Sequence, residues 1–442
     1  MTDSLSSLLP QMMPVEMVGS VVHTDGLATS VAGFPAPVGA LVEIERQAGG
    51  ILRGEVIGFR DDTTIIYPFG HVAGVRRGNR VRLVSTSRGI RVGEALLGRV
   101  IDAHAKPLDH LPEPGVTGRV RLDRSPPSAV ERPRIHVPLT TGIRVIDGLL
   151  TCGRGQRMGI FSGSGVGKSV LLGMMAKYTS ADVNVIALIG ERGREVNEFL
   201  ERDLGRAGLA RSVVVVATSD EPALVRVQAA LTATAVAEYF RDSGKQVLLM
   251  MDSLTRFAMA QREIGLAAGE PPTTRGYPPS VFGLLPRLVE RAGLTAQGSI
   301  TAFYSVLVEG DDTNEPISDT VRGLLDGHTV LSRRLAGRGH FPAVDLLSSI
   351  SRLMTDIVPR EQRDAAATVR ELIAVYHENE DLISIGAYRK GSHPQVDAAI
   401  QMKPEIDRFL RQAVEESSDM ATTTKDLLLL AARCRQASKV TN

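Results

Sequence analysis

The pattern of apolar and polar positions changes along the chain and predicts different kinds of structure in turn. Over residues 18–97, short apolar runs alternate with polar positions and are separated by Gly, Pro and Asp turns. Runs that are short and evenly spaced predict a small antiparallel β-barrel. Prolines then accumulate between residues 105 and 138, which predicts a stretch without regular structure within an extended connection, 98–138. A first domain of strands is therefore expected to end before residue 98.

Residues 139–359 alternate strand-sized apolar runs with Ala-rich or amphipathic helical stretches, which predicts a parallel, doubly wound sheet. Ligands of such sheets bind outside the carboxyl ends of the strands. After residue 359 the periodicity is helical as far as residue 442, and predicts a small α domain. The predicted strands are 157–161, 183–189, 212–217, 246–252 and 299–308.

The amino-acid composition limits the kinds of molecule that this protein is expected to bind. The 442 residues carry 51 basic and 50 acidic side chains, a net charge of +1, and only 4% aromatic residues with no Trp. This balance argues against nucleic acid or an anionic membrane as the main partner. Cys152 and Cys434 lie far apart without metal-like spacing, and no signal peptide or membrane-spanning run is evident, so a cytoplasmic protein with reduced cysteines is expected.

A glycine-rich loop directly follows the predicted strand 157–161. Residues 162–169 read SGSGVGKS, and a helical segment begins after them. In such a P-loop the backbone N–H groups turn inward around a polyphosphate, the lysine reaches the β- and γ-phosphates, and the last hydroxyl ligates Mg²⁺. A fortuitous Gly-rich turn is the alternative, and the first position carries serine where the usual pattern has glycine. The predicted nucleotide-binding residues here are Ser162, Gly163, Ser164, Gly165, Val166, Gly167, Lys168, Ser169 and Val170.

Two carboxylates end predicted strands of the same sheet. Asp252 ends the apolar run QVLLMMD, and this is the Walker B arrangement, in which the aspartate holds Mg²⁺ through its water shell. Glu191 follows strand 183–189 in the sequence GERGRE, where a base could orient the water that attacks the γ-phosphate. A helix cap at Asp252, and a solvated charged turn that includes Arg192 and Arg194, are the structural alternatives.

Arg352 closes the polar sequence PAVDLLSSISR. An arginine that reaches the γ-phosphate of a neighbouring subunit acts as an arginine finger, a device that accelerates hydrolysis by about 10³–10⁵. An ordinary surface arginine is an equally good explanation of one sequence.

Taken together, these motifs resemble a known group. The sequences SGSGVGKS, GERGREV and DSLTRF are similar to the catalytic subunits of rotary F- and V-type ATPases, and PAVDLLSSISR fits the signature of their α/β superfamily. The sequences TCGRGQRMGIF and MAQREIGLAAGEPPTTRGYPPSVF resemble the type III secretion ATPases, and GSITAFYSVLVEGDD is most similar to the flagellar branch.

That resemblance implies a multidomain α/β fold with an N-terminal β-barrel, a central RecA-like P-loop domain and a C-terminal helical domain. It implies ATP and Mg²⁺ as cofactors, with phosphates and metal at Lys168 and Ser169 and the metal's waters at Asp252. Glu191 would activate water, Arg192 would contact nucleotide, Arg352 would reach the neighbouring subunit's site, and Phe341 would stack on adenine. The implied domains are 1–17, 18–97, 98–138, 139–359 and 360–442.

The resemblance also implies a homohexamer with sites between subunits, peripherally associated with the export apparatus at the inner membrane. Its implied partners are a peripheral-stalk-like regulator, a coiled-coil shaft-like protein, chaperone–substrate complexes and the membrane export gate. We expect residues 5–17 to bind the regulator, although a disordered tail fits the sequence equally well. The stretch at 388–395, YRKGSHPQ, replaces the acidic stretch of the synthase subunit, so the mode of shaft contact is not carried over.

There are three alternatives to flagellar export, of which the first is a sibling enzyme and the other two belong to different classes. A virulence injectisome ATPase shares every catalytic residue, and gene neighbours would separate the two. A Rho-type hexameric RNA translocase also pairs a small β-domain with this core, but the balanced charge argues against it. A non-catalytic ring subunit would lack the base, which Glu191 supplies here.

Overall fold

The computed structural model describes residues 16–25, 27–47, 49–308 and 315–440. Most of the predicted regulator-binding segment, residues 5–17, therefore lies outside the described residues. The first domain is a closed six-stranded barrel with the order β1-β2-β5-β4-β3-β6, whose edges meet where β1 pairs with β6. Its strands are β1 (Val18–Thr24), β2 (Thr29–Ala32), β3 (Leu41–Glu45), β4 (Ile51–Arg60), β5 (Thr63–Pro68) and β6 (Arg80–Ser85).

Alternating side chains fill the barrel. Val31, Val42, Ile44, Val56 and Val81 are all fully buried, as the inward positions of a small antiparallel barrel must be. The even spacing of short apolar runs predicted this barrel, and the prediction is confirmed.

The connection after the barrel is more ordered than its prolines indicate. β7 (Gly89–Val92) pairs with β9 (Gly118–Arg121), and β8 (Arg99–Ile101) joins the edge of the central sheet beside residues 213–215. The expectation that this stretch holds no regular structure is therefore wrong. Because the four residues of β9 contain no proline, their N–H groups can pair, and the neighbouring prolines only bound the strand.

The central domain holds a sheet in the order β19-β18-β12-β17-β15-β13-β14-β8. All neighbours on this path are parallel except β19, which runs antiparallel to β18. The runs that predicted strands are confirmed, and β18 and β19 were missed because both are short or polar. The strands of this order are β12 (Arg157–Ser162), β13 (Val183–Glu191), β14 (Ser212–Thr218), β15 (Gln246–Asp252), β17 (Ser299–Leu307), β18 (Gly327–Leu331) and β19 (Val344–Ser351), together with β8. Three two-residue strands lie outside this order: β10 (Pro138–Leu139), β11 (Cys152–Gly153) and β16 (Gly293–Leu294).

Helices cover both faces of this sheet, which explains why its inner strands are almost continuously apolar and buried. The helices are α1 (Arg144–Leu149), α2 (Lys168–Tyr178), α3 (Gly193–Glu198), α4 (Gly205–Ala210), α5 (Ala223–Asp242), α6 (Leu254–Ala268), α7 (Pro279–Val289), α8 (Pro316–Leu324), α9 (Arg333–Gly337) and α10 (Met354–Ile357). A π-helical turn, Phe199–Leu204, joins α3 to α4.

Three long helices form the C-terminal part: α11 (Arg360–Ser384), α12 (Pro394–Leu410) and α13 (Met420–Val440). Their apolar faces belong to one continuous core with α2 and one face of the sheet, through residues such as Val369, Met402 and Leu427. The predicted multidomain α/β fold with a C-terminal helical domain is confirmed. Within the described parts of the chain, no helix combines the length and the apolar character needed to cross a lipid bilayer.

Candidate active site

The glycine-rich loop lies at the carboxyl end of β12, near the middle of the sheet, and α2 begins at Lys168. Gly165 and Gly167 adopt φ values of 76° and 88°, which favour glycine because a side chain is strained there. Ser162 still belongs to the strand, so its position has no need of glycine. Its hydroxyl is buried and has no hydrogen-bond partner among the described residues. The serine that departs from the usual motif thus leaves the geometry of the loop intact.

Lys168 and Asp252, 84 positions apart in sequence, meet beside this loop. Nζ of Lys168 lies 2.5 Å from Oδ1 of Asp252, and Oγ of Ser305 donates to the same oxygen at 2.6 Å. β15 and β17 are parallel neighbours, and both end at this edge of the sheet. The Asp252 side chain is 5% exposed, so its carboxylate is held by a cation and a hydroxyl in a nearly dry setting.

Glu191 stands beside this pair at the end of β13. Its Oε1 atom is 3.9 Å from Nζ of Lys168. Burial, followed by the negative charge of Asp252, raises the pKa of Glu191 to about 7, and the charge of Lys168 opposes that shift. A carboxylate with a pKa near neutrality is suited to accept a proton from water.

Two arginines flank Glu191 in different ways. Arg192 points into solvent, with its side chain 78% exposed and 3.6 Å from Glu195. Arg256, one turn into α6, packs against Gly190, and its Nε atom is buried without a hydrogen-bond partner among the described residues. The sequence reading missed Arg256, although it belongs to the quoted sequence DSLTRF. Its place in the first turn of α6, four residues after the Asp252 that ends β15, is the signal that could have identified it.

Phe341 lies against the helix end of the loop. Two ring atoms are 3.3 and 3.4 Å from the position that a Cβ on Gly167 would occupy, and the residue is 46% exposed. A cavity of about 880 Å³ opens beside the ring, and its lining includes Arg411, Gln412 and Ala413, which follow α12. The backbone N–H of Gln412 donates to the carbonyl of Phe341 at 3.0 Å. These three residues were not predicted, because nothing local in their sequence indicates a binding wall.

Arg352 lies far from the loop of its own chain. Its backbone N–H donates to the carbonyl of Asp326 at 3.0 Å, and a side-chain oxygen of Asp326 accepts from the backbone N–H of Arg157 at 3.0 Å. Arg157 begins β12, whereas the loop follows its end. Five residues of strand span about 16 Å, so this exposed arginine lies at the opposite edge of the sheet.

The donor set at the loop fits one kind of metal. Among the described residues, no three His, Cys, Asp or Glu side chains come together as a metal cluster. The oxygens near the loop are the Ser169 hydroxyl, at the second residue of α2, and the Asp252 carboxylate. Mg²⁺ is bound in this manner, by one or two protein oxygens together with substrate phosphates and waters. The residues present therefore fit Mg²⁺.

Known protein families match all three parts of the chain. Residues 142–351 match the nucleotide-binding domain of the ATP synthase alpha/beta family, and residues 21–84 match its beta-barrel domain. Residues 358–428 match the C-terminal domain of the EscN ATPase of type III secretion systems. The flagellum-specific ATP synthase of Bacillus subtilis is 54% identical over 400 residues, covering 90% of each chain. This chain belongs to the family of flagellar and type III secretion ATPases.

Relatives come from both branches of that ATPase family. The type 3 secretion system ATPase of Xanthomonas euvesicatoria is 51% identical over 406 residues and covers 92% of each chain. The assembled ATPase EscN of enteropathogenic E. coli, solved in complex with its central stalk EscO, is 47% identical. It superposes with a TM-score of 0.87, covering 93% of this chain and all of EscN. The resemblance to export ATPases seen in the sequence is thus confirmed, and the chain is an ATPase.

Proposed function

We propose that this ATPase hydrolyses Mg²⁺-ATP for the flagellar protein-export apparatus, at sites shared between identical subunits. The observation that carries the proposal is the cluster at the sheet edge, where Lys168 lies 2.5 Å from Asp252 and 3.9 Å from Glu191. A lysine for phosphate, a carboxylate for metal and a second carboxylate with a pKa near 7 are the groups that phosphoanhydride hydrolysis requires.

The roles follow from these positions. The inward N–H groups of the loop and Lys168 bind the phosphates. Ser169 would hold the metal directly, and Asp252 would hold it through its water shell. When bound, Mg²⁺ neutralises charge on the phosphate oxygens. Glu191 orients the attacking water and accepts its proton, and Arg256, beside Gly190, contacts the γ-phosphate. Arg192 contacts the nucleotide once its side chain turns away from Glu195. The ring of Phe341 and the wall formed by residues 411–413 receive the adenine.

Arg352 serves a site other than its own. About 16 Å of strand separates its edge of the sheet from the loop of the same chain, which is too far for contact with one nucleotide. Arg352 can instead act as an arginine finger in the site of the neighbouring subunit. A head-to-tail interface would place this edge of one subunit's sheet against the phosphate loop of the next subunit. EscN is assembled in its solved structure, and we propose a homohexameric ring for this chain.

Glu191→Gln tests the central assignment. The amide keeps the shape of the side chain and cannot accept a proton, so hydrolysis should fall by at least about 100-fold while ATP binding persists. Glu198→Gln is the matched control, because Glu198 is an exposed partner of Arg194 two turns away. Equal turnover in Glu191→Gln and the control would show that the base lies elsewhere.

We also propose which proteins bind this ATPase. EscN binds its central stalk EscO, and we propose a coiled-coil shaft-like partner here, together with a stalk-like regulator, chaperone–substrate complexes and the export gate at the inner membrane. The working division is a partner-binding segment 1–17, a barrel 18–97, a connection 98–138, an ATPase domain 139–359 and a helical domain 360–442. Regulator binding that survives deletion of residues 1–17 would contradict the first assignment.

The injectisome is the second candidate system, because the Xanthomonas relative, at 51% identity, is nearly as similar as the Bacillus one. Expression of this chain in strains that lack their own ATPase separates the two. Restored flagellar export without restored effector secretion supports the proposal. The reverse result would place the chain in the injectisome branch.

A further inference from the structure

One short segment, residues 332–341, touches both ends of the phosphate loop. At its end, the Phe341 ring packs against Gly167, as described above. At its start, Nη2 of Arg333 lies 2.8 Å from the position that a Cβ on Gly163 would occupy. The guanidinium of Arg333 therefore rests on the first turn of the loop, at a place that the sequence motifs do not mark.

The sheet explains why Arg333 arrives there. β18 runs parallel to β12 with Leu331 paired to Ser162, so the residues that follow both strands leave the sheet side by side. Ser332 then caps α9 by accepting a hydrogen bond from the backbone N–H of Leu335, which sets Arg333 at the first helical position. In the order of the sheet, β18 flanks β12 on one side, and β17 and β15 follow on the other. Arg333 thus approaches the loop from the side opposite to Asp252.

The Arg333 side chain differs from its neighbours in having no protein partner. Arg334 and Arg338 each donate to Glu380 of α11 at 2.6 Å. Among the described residues, the Arg333 side chain, which is exposed, makes no hydrogen bond and no ion pair, although it is next in sequence to one of these arginines. A guanidinium presents five N–H donors in a planar fork that matches phosphate oxygens. An unpaired cation held against a polyphosphate loop is suited to bind the same anion.

The backbone conformation of Gly163 is compatible with this contact. Its backbone does not adopt a positive φ, unlike Gly165 and Gly167, so loop conformation does not require glycine at this position. A methyl group there would instead meet the Arg333 guanidinium. The absence of a side chain at position 163 thus leaves room for the guanidinium of Arg333 in its present position.

We propose that Arg333 is a further nucleotide-binding residue, which contacts the polyphosphate from the side of the loop opposite to Asp252. This inference rests on the proposed ATPase site. Lys168 reaches the phosphates from the helix end of the loop, and Arg333 adds a second positive group of the same chain at the strand end. The nucleotide is thereby held between two cations before the arginine of a neighbouring subunit arrives.

Arg333→Ala is the direct test, with Mg²⁺-ATP, ADP and AMP as ligands in titration calorimetry on the full chain. A charge-assisted contact is lost, so the Kd for ATP should rise about tenfold or more, with a smaller rise for ADP and little change for AMP. Arg333→Lys keeps the positive charge but loses the planar fork of donors, so its Kd for ATP should lie between those of the parent chain and of Arg333→Ala. Arg334→Ala is the matched control, because that arginine pairs with Glu380 on the surface, and its affinity for ATP should equal that of the parent chain.

Gly163→Ala completes a double-mutant cycle. In the parent chain the added methyl displaces the guanidinium and should weaken ATP binding; in the Arg333→Ala background it should cost much less. Unchanged ATP affinity in Arg333→Ala, equal losses for ATP and AMP, or additive effects in the cycle would each overturn the inference. These outcomes leave the proposed function standing, because hydrolysis of ATP by the parent chain does not depend on the role given to Arg333.

Discussion

Lys168 and Asp252 form an ion pair with 2.5 Å between Nζ and Oδ1, although 84 positions separate them in sequence. The Oγ atom of Ser305 donates to the same carboxylate oxygen at 2.6 Å. The Asp252 carboxylate at the end of β15 thus contacts both the first residue of α2 and the carboxyl-terminal part of β17. An aspartate held in this way can present its other oxygen to a metal-bound water without reorganisation.

Asp252→Asn should raise the Mg²⁺ concentration that gives half-maximal hydrolysis about tenfold or more, because the amide weakens the contact with the metal's water shell. Asp220→Asn is the control: this residue lies on the exposed loop after β14, and its substitution should leave the half-maximal Mg²⁺ concentration unchanged. The measurement is a magnesium titration of steady-state hydrolysis at fixed ATP, and chelation of the metal should abolish turnover in the parent chain. An unshifted titration in Asp252→Asn would remove Asp252 from the metal site.

The pH profile reports on Glu191. Burial and the Asp252 charge raise the pKa of Glu191 to about 7, so this side chain gains its proton as the pH falls through neutrality. A protonated carboxyl cannot accept the proton of water, and kcat/KM should therefore fall about tenfold per pH unit below the apparent pKa. Rates should be measured from pH 5.5 to 8.5 at saturating Mg²⁺. A flat profile down to pH 5.5 would contradict the assignment of this base.

Mixed rings test the position of Arg352. Arg352→Ala and Lys168→Ala should each abolish hydrolysis, because every shared site lacks one essential cation. In a random equal mixture about one quarter of interfaces combine both intact groups, so activity should return to about one quarter of the parent rate. Lys168→Ala mixed with itself gives the baseline, and Arg360→Ala, an exposed arginine that begins α11, controls for loss of surface charge. Mixtures that stay at the baseline would contradict a finger supplied in trans.

Phe341→Ala should raise the KM for ATP roughly tenfold with a smaller change in kcat, since stacking on a base contributes about 1–3 kcal/mol. Phe341→Tyr keeps the ring and should stay near the parent value. Phe59→Ala removes an exposed ring of the barrel and serves as the matched control. If the alanine variant retains the parent KM, adenine binds elsewhere.

Stability depends on an ion pair distant from the loop. Arg291 and Glu238 are 3% and 1% exposed, and two hydrogen bonds of 2.9 and 2.8 Å join them. Arg291→Ala removes both hydrogen bonds of the buried Glu238 carboxylate and leaves it only Arg124, at 3.9 Å, so the free energy of unfolding should fall by about 3 kcal/mol. Asp364→Ala, which removes an exposed partner of Arg360, should change it by less than about 0.5 kcal/mol. Urea denaturation measures both, and similar small losses would contradict this ranking.

Much of the fold and part of the site could be predicted because they depend on neighbours in sequence. Continuous apolar runs identified five strands of the central sheet, and glycines followed by Lys168 and Ser169 identified the loop. Asp252 and Glu191 could be named because each ends such a run, and parallel strands bring their carboxyl ends to one edge. The connection after the barrel was misjudged because prolines limit a strand's length without forbidding it between them, as β9 shows.

Other features depend on packing between distant segments. Short sequence patterns do not record that Phe341 packs on Gly167, that residues 411–413 close a cavity beside it, or that Arg333 rests on Gly163. The antiparallel direction of β19, which carries Arg352 away from its own loop, is likewise a property of the sheet.

The sequence by itself thus determined which chemical groups are present and which strand or loop carries each, because backbone conformation at those sites is local. Only the tertiary structure decided which groups meet, how far burial raises the pKa of Glu191, and which side of the loop each cation approaches. Distances and desolvation arise when segments far apart in the chain exclude water together.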